Sequence, residues 1–267
     1  LIWEYIFEGQ LDDVAWRTRR VEDGYIVVGI TSSNPTFVKD AFLAKIDFDG
    51  NVIWQNTYGS TNAERATSIV VLPDGGYAVA GMTRDNPETD ENGWIFRTDS
   101  DGNMLWQQQY GGARPDEFFW IEQLENDGFI LCGSTMSHHE RNDYDTWIVE
   151  TDEFGDVVRS FAGGTPYGDD WGQMIKEVRG SYIVTGLGNE PDRYRQALLA
   201  RFTSDLEPVY SLIAGNGLED MGYAIHLLQD GGYVIAGKGT KLGNTYSDMF
   251  IARTRPDLYN LLPVNNE

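Results

Sequence analysis

Cysteine is almost missing from this chain. Cys132 stands alone, which excludes an internal disulfide framework and any cysteine-cluster metal site. Positive charge is also scarce. Twenty Lys and Arg face 42 Asp and Glu, and the net charge of −22 repels a polyanion before specific contact, so nucleic acid is a poor partner. Five of the bases are lysines, at positions 39, 45, 176, 238 and 241, an acid-rich and lysine-poor balance that suits a salty or extracellular setting. No apolar run approaches the roughly 18 residues of a membrane-spanning helix, so membrane insertion is not expected. Also missing are Gly-x-Ser-x-Gly, a phosphate loop, a dinucleotide fingerprint and His-Glu-x-x-His, which leaves those enzyme classes unsupported.

What is present is ample for a core. A content of 41% hydrophobic and 13% aromatic residues excludes disorder, and 267 residues suit one large domain or two ordinary ones. The strand-like start at Leu1, without an initiator Met, reads as a mature exported chain or a trimmed one.

One phrase recurs five times: Gly24 to Gly29, Gly76 to Gly81, Gly128 to Gly133, Ser181 to Gly186 and Gly232 to Gly237. Its aromatic residues, Tyr25, Tyr77, Phe129, Tyr182 and Tyr233, are spaced by 52, 52, 53 and 51 residues. Each copy reads as four strands. An apolar stretch such as Ala66 to Leu72 precedes the turn Pro73-Asp74-Gly75-Gly76, the phrase forms a second strand, and a third (Trp94 to Asp99) leads through Asp101-Gly102-Asn103 into a fourth, Met104 to Gly111. Four short antiparallel strands at a period near 50 describe a propeller blade.

The expected fold is therefore all-β, a five-bladed β-propeller in one domain over 1–267. Its repeats are about 10–60, 61–112, 113–164, 165–216 and 217–267, the last joined by 1–9. Copy five ends without a Trp-x3-Tyr-Gly strand, and the opening Leu1 to Gly9 matches that missing strand, so the N-terminus is expected to close the last blade. A β-sandwich would not explain the period or the complementary ends.

These motifs resemble the repeat propellers of exported bacterial and archaeal proteins, whose blades read Asp-Gly-Gly-Tyr-Val-Val-Ala-Gly and Gly-Asn-x-x-Trp-x-x-x-Tyr-Gly-Gly. The match is closest at Asp74 to Gly81 and Gly102 to Gly112. It departs at Arg179-Gly180-Ser181, and at Arg159 and Tyr210 in the Trp place. The resemblance implies an extracellular or periplasmic binding or display role and transfers no catalytic residues.

Chemistry is expected on the face bearing the loops 30–39, 82–91, 134–144, 187–195 and 238–247, since the other face holds tight turns. An acid opens every first strand: Asp13, Glu64, Glu117, Asp170 and Asp220, preceded in four copies by Asp12, Asp116, Asp169 and Glu219. Such acids either cap the turn entering their blade or gather as a rim that recruits cations, with Asp13, Glu117 and Asp170 as candidate Ca²⁺ ligands. Trp16, Trp120, Trp171, Tyr223 and Phe118 accompany them and would pack between blades or offer flat faces to sugar rings or organic cations. Lys45, Arg97, Arg201 and Arg253, with Glu150 breaking the series, are expected in interblade ion pairs. Asp47-x-Asp49-Gly50-Asn51 mimics a calcium loop but has Tyr58 at the closing position, as its copy has Tyr110, so both read as hairpin turns. His138-His139-Glu140 has no third ligand at a recognisable spacing. The expected function is a monomeric, non-catalytic binding propeller that needs no cofactor and takes a glycan, a protein or a cationic ligand. A glycosidase using central carboxylates is the alternative, and a purely structural display module the third reading.

Overall fold

The computed structural model describes residues 1–7, 11–32, 38–60, 62–84, 90–138, 140–191, 193–215, 219–240 and 246–255. The fold is all-β and consists of the five blades of a β-propeller. The first sheet is β1 (Asp13–Val21), β2 (Gly24–Thr31), β3 (Asp40–Asp47) and β4 (Val52–Tyr58). β5 (Glu64–Val71), β6 (Tyr77–Thr83), β7 (Asn92–Thr98) and β8 (Met104–Tyr110) make the second. The third holds β9 (Asp116–Gln123), β10 (Phe129–Thr135), β11 (Asp145–Thr151) and β12 (Val157–Gly163). In the fourth are β13 (Trp171–Glu177), β14 (Ser181–Glu190), β15 (Arg193–Thr203) and β16 (Pro208–Ala214), and the fifth has three strands, β17 (Glu219–Leu227), β18 (Tyr233–Thr240) and β19 (Asp248–Arg253). Every sheet is a meander in chain order.

The chain divides into two compact units, with the division passing through the third sheet. One comprises Leu1–Leu131, Thr135–Glu140 and Glu150–Val158, the other Cys132–Ser134, Arg141–Val149 and Arg159–Glu267. In the first unit Ile26, Val28, Leu43, Ile69, Val79 and Phe96 form the core. In the second, Ile175, Ile183, Val184, Leu199, Phe202 and Ile235 are buried. The strands of the repeated phrase are covered on both faces, as β6 and β10 show, which is why they read as unbroken apolar runs rather than alternating ones. Fourth strands such as β4 alternate and expose one face.

The Trp-x3-Tyr motif is a device for docking one sheet on the next. Trp54 packs on Tyr77 (centroids 6.1 Å apart, planes at 56°), while the Tyr58 hydroxyl donates to Gly102 O at 2.6 Å. One repeat on, Trp106 packs on Phe129 at 6.3 Å and the Tyr110 hydroxyl donates to Gly155 O at 2.6 Å. The turn glycine is needed on two counts: Gly102 has φ +80°, and a Cβ there would meet the Trp54 ring at 2.8 Å. Where Arg159 replaces Trp, its guanidinium donates instead to Ser204 O at 2.9 Å and pairs with Asp205.

The N-terminal segment, expected to close the last blade, is described only in part. Leu1–Phe7 forms no strand, and the last sheet has three strands among the described residues; Glu8, Gly9 and 256–267 lie outside them. Against the first sheet, though, the segment makes fourth-strand contacts. Trp3 packs on Tyr25 at 6.3 Å and 56°, covers the Gly50 turn and donates from Nε1 to Phe48 O at 2.9 Å, and Phe7 stacks edge-on against Phe42 at 4.8 Å.

A bulge interrupts β1, β5, β13 and β17. Register slips between Ala15 and Arg17, Ala66 and Ser68, Gly172 and Met174, and Gly222 and Ala224. Opposite stands the glycine that ends the repeated phrase. A Cβ on Gly29, Gly81, Gly186 or Gly237 would lie 2.0, 1.8, 1.7 or 1.8 Å from the carbonyl oxygen of Val14, Arg65, Trp171 or Met221, so close approach of two backbones accounts for that glycine.

The segment 187–195, expected as a loop, is mostly strand: β14 runs to Glu190 and β15 resumes at Arg193. Loop residues 33–37, 85–89, 139 and 241–245, His139 among them, lie outside the described residues.

Candidate functional site

Each first strand begins at a carboxylate that accepts hydrogen bonds from its surroundings. Glu64 takes the Ser60 N–H at 3.1 Å and hydroxyl at 2.9 Å, and the Thr83 hydroxyl at 3.3 Å. Asp170 takes the N–H of Thr165 at 2.6 Å and of Asn189 at 3.1 Å. Asp13 and Asp220 take those of Ser32 and Thr240, each at 3.2 Å. These are turn-capping bonds, each joining an acid to the end of the neighbouring strand or to the loop before it.

In the third repeat the capping acid is Asp116, not Glu117. Asp116 is fully buried and accepts from Gly112 N–H at 2.9 Å, from the Ser137 hydroxyl at 2.7 Å and from the Thr135 hydroxyl. Glu117, one residue on, faces Arg65 of the preceding sheet, whose guanidinium bridges Glu117 at 3.0 Å and Glu91 at 3.1 Å. Burial pushes the Glu117 carboxyl up to about 7; Arg65 opposes this and Glu91 adds to it. Asp170 is pushed to about 6 by burial, against its hydrogen bonds to Thr165 and Asn189, with Asp145 raising it further. Glu64 is likewise raised, chiefly by burial and last by Asp40.

The accompanying aromatics occupy different rungs. Trp16 and Tyr223 are bulge residues, 50% and 43% exposed. Trp171 lies before its bulge, opposite Leu187, and Phe118 and Trp120 are buried in β9. They do not form one equivalent set. The third-strand bases differ from expectation too, because they pair within their own sheet. Lys45 binds Asp23 at 2.9 Å, Arg97 binds Asp74 at 2.5 Å, Arg253 pairs with Asp230, and Arg201 donates to Ser181 at 2.9 Å. The two calcium-like segments are hairpin turns in which Asp47 and Asp99 accept the N–H groups of Asn51 and Asn103 at 2.8 Å.

Among the described residues no three His, Cys, Asp or Glu side chains are grouped to hold a metal ion. What the second unit does assemble is a polar and aromatic cluster beside its capping acid. The Trp171 ring meets Tyr144 edge-on at 6.1 Å and lies 5.7 Å from the Arg195 guanidinium. Arg195 bridges Asp169 at 3.2 Å and Glu219 at 3.4 Å, and Glu219 also takes Lys238 at 3.2 Å. Asp169 further accepts the Tyr144 N–H at 3.1 Å, and Tyr167 nearby in sequence is 54% exposed. Sequence reading singled out Trp171 and the acids but not Tyr144 or Arg195, whose roles become visible only once strand register is known.

No family model matches this chain, and no curated protein matches it. Solved structures do, at 10–12% identity, which shows the fold alone. A thermostable family-43 glycoside hydrolase aligns with a TM-score of 0.50 and 10% identity over 92% of this chain and 90% of that one. A subtype N10 neuraminidase-like protein of A/little yellow-shouldered bat/Guatemala/060/2010 gives 0.50 and 12% over 90% and 81%. The WD40 domain of Neurospora crassa Pan2 gives 0.49 and 11%; the alignment covers 83% of this chain but spans only 60% of the length of that one.

Proposed function

We propose that this protein is a non-catalytic binding propeller that takes a carbohydrate at the Tyr144–Trp171–Arg195 cluster. The observation that carries this reading is the commitment of the capping acids. Asp116 and Asp170 each accept three hydrogen bonds from their own blade junction, which leaves them little freedom to bind water or exchange protons with a substrate. Glycoside hydrolysis needs two carboxyl groups in contrasting environments, whereas these acids do one repeated job. The cluster, by contrast, combines flat aromatic surface with fixed charged hydrogen-bonding groups, the pairing that orients sugar rings.

Titration of a panel of neutral and acidic oligosaccharides by calorimetry tests the proposal. Trp171→Ala and Arg195→Ala should each weaken the best binder at least about tenfold, a loss of about 1.4 kcal/mol. Unchanged affinity in both variants overturns the assignment. One observation favours a second reading: Glu117, pushed to about 7, has the protonation range of a general acid. Hydrolysis of aryl glycosides that Glu117→Gln abolishes would establish glycosidase activity and displace the binding reading.

A further inference from the structure

In a chain with 22 more acids than bases, an arginine commonly has acidic company. Arg65, Arg84, Arg97, Arg159, Arg195 and Arg253 all form ion pairs. β1 is different. Among the described residues, Arg17 and Arg19 have no carboxylate within ion-pair distance; they lie 4.9 and 5.4 Å from the Trp120 ring centroid, so two guanidiniums share one indole of β9.

The register makes the arrangement pointed. Arg17 pairs with Val28, immediately before the phrase-ending Gly29. The same rung in other sheets holds Ser68 opposite Ala80, Met174 opposite Thr185, and Ala224 opposite Ala236. Arg19 sits two residues on, opposite the fully buried Ile26, so both side chains share the more covered face of β1. Burial and then the Arg19 charge hold the Arg17 guanidinium below its ordinary value. The Arg17 Nε–H is buried and makes no hydrogen bond among the described residues. One Arg19 N–H donates to Thr18 O at 3.3 Å, and an indole face, which attracts guanidinium through its quadrupole, leaves the other in-plane N–H groups open to an oxygen acceptor.

We propose that Arg17 and Arg19, held against Trp120, bind a single oxyanion group, a carboxylate or sulfate, borne by a small and otherwise neutral ligand. The −22 charge selects for low ligand charge, because a polyanion is repelled by the surrounding field while one oxyanion loses little and gains two forked donors. The inference stands independently of the carbohydrate cluster.

Calorimetric titration at low ionic strength with methyl glucuronide, a glucose sulfate monoester and neutral methyl glucoside tests it. The two anionic probes should bind at least about tenfold more tightly than the neutral one, weaken with added NaCl, and lose that advantage in Arg17→Gln/Arg19→Gln. The relative strength of the two anions then distinguishes carboxylate from sulfate. The double variant relieves repulsion, so its melting temperature should not fall. Arg253→Gln, which removes a paired arginine, should leave binding unchanged. Equal affinity for charged and neutral probes, no binding of either anion, an undiminished advantage in the double variant, or an equal loss in Arg253→Gln would each overturn the proposal.

Discussion

Replacing Asp116 by Ala is the sharpest perturbation of the repeated caps. The carboxylate is fully buried and serves Gly112 N–H, the Ser137 hydroxyl and the Thr135 hydroxyl, so its removal strands three donors. Each buried orphan costs about 1–3 kcal/mol; allowing the two hydroxyls to rotate toward other acceptors, the variant should lose about 3–5 kcal/mol. At about 2–4 °C per kcal/mol for a chain of this size, the melting temperature should fall by roughly 6–20 °C. Asp116→Asn keeps the shape and one acceptor and should lose about half as much. The paired control is Glu117→Gln, one residue away: Arg65 retains Glu91, and the neutral isostere removes a carboxylate whose charged form burial disfavours, so stability at neutral pH should not fall. Thermal melts followed by circular dichroism, with urea titration as a second axis, separate these outcomes. Equal losses at 116 and 117, or an unchanged melt for Asp116→Ala, would refute the assignment of the cap.

The carboxyls of Glu117 and Asp170 have folded values raised to about 7 and about 6, so the folded state holds protons that the unfolded chain has released. Their contribution is fully present below the ordinary carboxylate range and is lost as pH rises toward 7; Glu117→Gln/Asp170→Asn should flatten that slope between about pH 4 and 7, and an identical pH profile would contradict it. Trp3→Ala should cost about 1–3 kcal/mol in urea unfolding, because it empties the contact with Tyr25 and Gly50; no loss would mean that the segment contributes nothing to the first sheet. Gly102→Ala combines a left-handed backbone with a clash against Trp54 and should cost at least about 1–2 kcal/mol, read by the same assay. Calcium and NaCl at matched ionic strength should give superimposable melts, and an extra shift with calcium would reveal a cation site.

Period, strand count and turn chemistry were legible in the sequence because each rests on local rules. A glycine with positive φ or an Asp that accepts its own turn's N–H groups needs no knowledge of the remaining chain. The candidate site was less legible, for two physical reasons. Asp116 and Glu117 are adjacent acids, and only the length of the loop from Gly111 decides which of them reaches its N–H groups. With Asp116 as the cap, aromatics that look equivalent by distance from the expected acid, such as Trp16 and Trp120, stand three and four residues after their caps and occupy different positions. Third-strand bases misled for a related reason. Lys45 and Asp23, or Arg97 and Asp74, are 22 or 23 residues apart, and nothing in that separation distinguishes a partner within the hairpin from one in a neighbouring sheet.

The bulge makes β1, β5, β13 and β17 each two half-strands written in series with opposite parity. Before it, side chains answer to the incoming loop through the capping acid; after it, alternation restarts, and the pairs Arg17 and Arg19, Ser68 and Val70, Met174 and Lys176, and Ala224 and His226 fill the same two places with unrelated chemistry. The halves can therefore diverge without disturbing one another. Deleting the bulge residue Thr67 would do more than shorten β5 by one position: it would merge the two phases and turn Ser68 to Val71 over to the opposite face of the sheet. Gly81 would then face an ordinary ladder, and the reason for a glycine at the end of the repeated phrase would vanish with the bulge.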